Sequence, residues 1–147
     1  MSVPVYRRNQ SPIEYIDKAR KLAYYVFQRV SYFKQRPREV FGYRIQELAL
    51  EVYTLVVEAN GLYYFKRKEI DQTLLNERIF ILEKALSKLH ALLCAFSLCV
   101  ELDTKLYISS SNGLKTTKYL TKKVNEEYNL IKGVLTRDKS YITPERW

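Results

Sequence analysis

The chain has 147 residues, 47% of them hydrophobic, with four glycines and four prolines, so it is the size of one domain with its own core and little room for a flexible linker. The N-terminus, MSVPVYRRNQ, lacks an apolar stretch of signal-peptide length, and the longest uncharged run, Leu89 to Val100, is 12 residues against the ~20 that span a bilayer, which predicts a soluble, cytoplasmic protein without a membrane span. The formal charge of +9 is uneven: residues 1–44 carry a net +7, residues 45–103 a net −3 and residues 104–147 a net +5.

Ser11-Pro12-Ile13-Glu14 reads as a helix start, with Ser11 as N-cap, Pro12 in the first turn and Glu14 closing a capping box. The spacing predicts a first helix over about 12–33, with Ile16, Ala19, Leu22, Ala23, Val26, Val30 and Phe33 in one apolar stripe. A basic joint follows, FKQRPREVFGYRI. A second helix over 38–60 turns Phe41, Ile45, Leu48, Ala49, Val52, Leu55, Val56 and Ala59 to the core and stops at Asn60-Gly61. The third, over 68–102, carries Ile70, Leu74, Ile81, Leu82, Ala85, Leu89, Leu92, Leu93, Phe96 and Val100 on its core side. A serine run before Asn112-Gly113 can cap a fourth over 112–137, where Leu114, Leu120, Val124, Tyr128, Ile131 and Leu135 recur at helical spacing. No useful stretch alternates with period two. The expectation is one all-α domain over 1–147, an antiparallel up-down-up-down four-helix bundle in which the first and last helices, and so the two basic ends, are neighbours. The tail, DKSYITPERW, reads as a disordered end, with a docking peptide as the alternative.

Parts for chemistry are missing. A di-iron bundle site needs Glu-x-x-His pairs on two helices, and the chain has one histidine, His90, with no glutamate three residues before it. His90 and Cys94 would make half a zinc site with nothing to complete it. Cys94 and Cys99 point about 140° apart on one helix, so they cannot bridge within it and read as two small buried hydrophobes of a reducing compartment. Glu47, Glu51 and Glu58 read as a solvated acidic face. No nucleophile elbow, phosphate-cradling loop or Cys/His dyad is present. The expectation is a non-enzyme without metal or cofactor.

Two further patterns concern partners. Lys18, Lys21, Tyr25, Arg29 and Tyr32 lie within about 80° on the first helix, opposite its apolar stripe. Lys115, Lys118 and Lys122 recur on the fourth helix, and Lys34, Arg36, Arg38 and Arg44 crowd the joint. Cations interleaved with aromatics suit phosphate neutralisation and base stacking, so RNA or DNA is the expected ligand. The run LHALLCAFSLCV is apolar nearly all round, and a helix of that kind is buried all round. Ala91, Cys94, Ala95 and Leu98, with Leu50, Tyr53 and Val57 of the second helix, therefore predict a homo-oligomer or partner interface.

Over about residues 15–137 the chain resembles the accessory variability determinant family of diversity-generating retroelements. The likeness rests on Phe33, Arg38, Gly42 and Ile45 in the joint, on ELALEVYTLVVEAN from Glu47 to Asn60, and on LEKALSKLHALL from Leu82 to Leu93. It departs from the family at Lys34, where proline is usual and here comes at Pro37, at Cys94, where many relatives carry arginine, and at Gly133, the remnant of a glycine-rich close. The resemblance implies a basic four-helix bundle assembled as a barrel-like pentamer. It would bind the element's reverse transcriptase and template RNA in support of mutagenic cDNA synthesis, with Arg38 and Arg44 among the contacts. Two other readings are the bundle protein of ribosomal RNA intervening sequences, whose PxNIxEG-like stretch is here VVEANGLYY, and a structural or adaptor bundle.

Overall fold

A computed structural model describes residues 5–67, 69–102 and 112–142. Four long helices, α1 (Val5–Val30), α2 (Tyr43–Asn60), α3 (Gln72–Leu102) and α4 (Asn112–Lys139), enclose one hydrophobic core. α1 and α3 each pack against both α2 and α4, so the chain is an all-α bundle. The contacts between neighbours run in opposite order. On α1 and α4, Lys18 reaches Glu126 while Tyr25 meets Tyr119. On α2 and α3, Lys88 reaches Glu51 while Arg78 bonds to Ala59. On α3 and α4, Arg78 pairs with Asp138 while His90 lies by Val124.

The apolar stripes account for the packing. Ala19, Leu22, Val26, Ile45, Val52, Val56, Leu82, Leu89, Leu92, Leu120 and Ile131 are all buried, and Phe33 meets Phe96 across the core at 6.1 Å between ring centroids. Ile16, Phe41 and Leu55 pack at its margin. Tyr15, four residues before Ala19 and on the same side of α1, is fully buried as well.

Four boundaries differ from expectation. α1 begins at Val5, so Ser11 and Pro12 lie within the helix rather than at its start; proline's fixed φ is helical, but inside a helix it gives up its N–H bond and crowds the carbonyl four residues earlier. The joint is itself helical: one turn, Gln35–Pro37, runs through a π-helical segment, Arg38–Gly42, into α2. α3 starts at Gln72 rather than near residue 68. The residues before it form an antiparallel hairpin, β1 (Phe65–Lys66) with β2 (Glu69–Ile70), turned by Arg67 at φ 49°. Asp71 then caps α3, its carboxylate accepting the Leu74 N–H at 3.1 Å. α4 continues to Lys139, and Tyr141 beyond it packs on Phe65 at 5.2 Å, so the expected tail is ordered to Ile142. The serine run at 109–111 and the tail from residue 143 lie outside the described residues.

One part of α3 has mean hydropathy 1.6, long and apolar enough by composition to cross a membrane, and 28% of that stretch is buried within the chain. Its inner side belongs to the bundle core, and Arg78 and Lys88 hold carboxylates of α4 and α2, an arrangement compatible with a soluble protein.

Candidate nucleic-acid interface

At about 100° per residue, Lys18, Lys21, Tyr25 and Arg29 lie on the flank of α1 that turns toward α4 rather than opposite the core, and Tyr32 follows in the turn after the helix. Lys18, Lys21 and Tyr25 line a groove of about 90 Å³ with Tyr119 and Lys123 of α4. The Tyr25 and Tyr119 rings meet at 4.7 Å, tilted by 52°. Burial raises the Tyr25 hydroxyl above its ordinary pKa, opposed by the Arg29 charge. Cations sit over these rings: Arg29 lies 5.1 Å from the Tyr25 centroid and 5.9 Å from that of Tyr32, and the Lys123 ammonium lies 5.3 Å from Tyr119.

Acidic neighbours temper the groove without cancelling it. Lys18 and Lys123 both reach Glu126, at 3.7 and 3.5 Å. Asp17 takes Lys21 at 2.9 Å and Arg20 at 2.8 Å, and these bonds hold its carboxyl below the usual carboxylate range. Such half-exposed pairs contribute little to stability and yield readily to a polyanion. Lys115, Lys118 and Lys122 are exposed on the outer side of α4, and Tyr32 presents a half-exposed ring.

The joint cations divide. Arg38 is half-buried and donates from Nη2 to the Phe33 carbonyl at 2.8 Å, satisfying a group left open where α1 ends. Arg44 bonds to Glu47 at 2.6 Å and lies 3.8 Å from Glu51, on the side of α2 that faces α3. Lys34 and Arg36 are exposed. The structure therefore brings the α1 set together with α4, places Lys34 and Arg36 at that end of the bundle, ties Arg38 into the fold, and leaves Arg44 half-exposed in a local pair away from the α1–α4 face.

The apolar residues assigned to an interface fall on two faces. Leu50 and Val57 are exposed and Tyr53 is half-buried on the α1 side of α2, whereas Cys94 and Leu98 are exposed and Ala91 and Ala95 half-buried on the outer side of α3. Arg44, Glu47, Glu51 and Lys88, linked by ion pairs, stand between them. Cys94 Sγ lies 3.6 Å from His90 Nε2. Cys94 is exposed and Cys99 buried, and the two form no disulfide; among the described residues no cluster of three metal-binding side chains occurs.

Residue patterns alone missed several polar groups. Tyr119 and Lys123 could have been found, since both follow the helical spacing of Lys115 and Lys122. At the opposite end of the bundle Arg78 donates from Nε to Asp138 at 2.7 Å and from Nη1 to the Ala59 carbonyl at 3.0 Å, and the Tyr64 hydroxyl donates to the other Asp138 oxygen at 2.8 Å. Burial and that bond push Tyr64 up to about 12. Glu127 is fully buried, and neither carboxylate oxygen has a hydrogen-bond partner among the described residues; burial pushes its pKa up to about 8. Helical spacing marks both as buried: Glu127 follows Val124 by three residues and precedes Ile131 by four, and Asp138 follows Ile131 by seven, so each falls on the apolar stripe of α4. No family model, no curated protein and no solved structure matches this chain.

Proposed function

We propose that this protein is a non-catalytic, nucleic-acid-binding helical bundle whose contact surface is the α1–α4 face. The observation that supports this reading is the groove where Lys18, Lys21 and Tyr25 meet Tyr119 and Lys123, with Arg29, Lys115, Lys118 and Lys122 around it. Clustered cations beside rings suit the backbone charge and base faces of a single strand. Together with the resemblance to the accessory variability determinant family, this supports a cytoplasmic accessory role in a diversity-generating retroelement: holding template RNA or its cDNA for the element's reverse transcriptase, as a homo-oligomer of the pentameric kind. The exposed side chains of α3 and α2, Leu98 and Leu50 each 48% exposed, are the surfaces offered to other subunits or to the polymerase.

The test combines Lys21→Glu, Lys122→Glu and Lys123→Glu and measures affinity for a single-stranded RNA across a salt series. The expected result is a steep salt dependence in the parent chain, of slope about −0.7 per neutralised phosphate, and loss of both affinity and slope in the variant. Binding that is unchanged by the three reversals, or insensitive to salt, overturns the assignment. Co-purification with a reverse transcriptase encoded beside the gene tests the retroelement role separately.

A further inference from the structure

At the end of the bundle remote from the joint, the loop after α2, the hairpin and the residues after α4 surround a cavity of about 830 Å³, whose lining includes Asn60, Tyr63, Phe65, Arg137 and Tyr141. The size falls in the range of small-molecule sites, roughly 300–1,000 Å³. Its wall is rigid. Tyr64 is bonded to Asp138, Phe65 stacks on Tyr64 at 4.8 Å and meets Tyr141 at 5.2 Å in an edge arrangement, and Gln72 donates to the Tyr141 carbonyl at 3.2 Å. Its rings are open: Tyr63 is 70% exposed, Phe65 39% and Tyr141 37%.

The charge around these rings selects the ligand. Among the described residues no carboxylate lines the cavity. Asp138, the nearest, is fully buried behind the wall and occupied by Tyr64 and Arg78. Arg137 has a half-exposed side chain whose nearest carboxylate oxygen is 3.9 Å away, which leaves guanidinium donors for an anion. Asn60 adds an exposed residue with an amide that can both donate and accept. Ring faces, an amide and a guanidinium are the groups that hold an unstacked nucleobase and its phosphate.

Arg137 also continues the cationic face: it follows Lys123 on α4 by about four turns, on nearly the same side of the helix and ~21 Å along it. The geometry points to this cavity as a nucleotide pocket, taking one flipped base and its phosphate from a strand laid along the α1–α4 face. The inference rests on the nucleic-acid reading for the strand, while the pocket itself is tested with a ligand too short to need the groove.

That ligand is 2-aminopurine riboside 5′-monophosphate, whose fluorescence falls when its ring stacks, titrated with the full chain. The expected result is saturable quenching reversed by excess adenosine monophosphate. Tyr63→Ala, a substitution at a mostly exposed position that leaves the wall intact, weakens binding at least about fivefold, the lower end for loss of one stacking partner. Arg137→Gln weakens the monophosphate and leaves the free riboside unaffected. The groove variant with three lysine reversals keeps mononucleotide binding while losing the RNA strand. Absence of saturable quenching, or equal quenching by the parent and Tyr63→Ala proteins, overturns the pocket even if strand binding persists. Loss of mononucleotide binding in the folded groove variant likewise overturns a separate pocket.

Discussion

Glu127 is the residue whose replacement tests the packing most directly, through Glu127→Gln. Its side chain is 0% exposed and its carboxyl has no hydrogen-bond partner among the described residues, and burial raises its pKa from 4.5 to about 8, with Lys18 opposing and Glu14 adding to the shift. The sign follows from the two states. Below about pH 4.5 both folded and unfolded chains hold the proton, and the group costs nothing. As pH rises toward 8 only the unfolded chain ionises freely, so stability is lost across that window and the loss is complete above it. At about 1.36 kcal/mol per pH unit, the loss between pH 5 and pH 8 is on the order of 3 kcal/mol. Glutamine keeps the shape and cannot ionise. Urea unfolding should therefore show the stability difference, Gln minus Glu, growing by about 3 kcal/mol from pH 5 to pH 8, a shift of about 6–12 °C in Tm for a domain of this size. A difference that stays constant with pH, or a variant less stable at pH 8, refutes the buried, unpartnered carboxyl. Because Lys18 is the countercharge named for Glu127, Lys18→Glu should destabilise the fold as well as the groove, which is why Lys18 is left intact in the binding test.

Asp138→Ala strands the buried Arg78 guanidinium, and urea unfolding should show a loss of about 3–5 kcal/mol, whereas Arg78→Met with Asp138→Leu should recover much of it; equal losses in both proteins would count against the ion pair as the cause. Gly42→Ala places a methyl 2.8 Å from Val30 Cγ1 and 3.2 Å from Arg38 Cγ, so a loss of about 1–3 kcal/mol is expected, reduced by adding Val30→Ala; no rescue would mean the close approach is not what requires glycine. Leu98→Glu, on the outer side of α3, should lower the sedimentation coefficient of any assembly while leaving helical circular dichroism unchanged, and a chain already at 17.5 kDa in solution would remove the self-association reading.

Helix content and the core were legible because they follow from local rules. Apolar residues every three or four positions make a buried stripe wherever the helix docks, so Leu22, Val52, Leu89 and Ile131 were placed correctly without knowing their partners. Boundaries were harder. Asp71 caps α3 only because strand pairing at Phe65 and Ile70 draws the preceding residues off the helix axis, and proline at position 12 signals a helix start but does not compel one.

What the sequence determined by itself is the periodic content: which faces are apolar, and that the charge lies at the two ends. Tertiary structure decided which polar groups are surface and which are core. Lys18, Lys21 and Lys123 become one groove through the facing of α1 and α4, Arg38 is drawn into a bond with the Phe33 carbonyl, and Asp138 and Glu127 are carried inside by a helix whose apolar neighbours demand burial. The reason is range: stripes arise from residues three or four apart on one helix, whereas Arg78–Asp138 and Tyr64–Asp138 join positions 60 and 74 residues apart, which only the docking of whole helices brings within bonding distance.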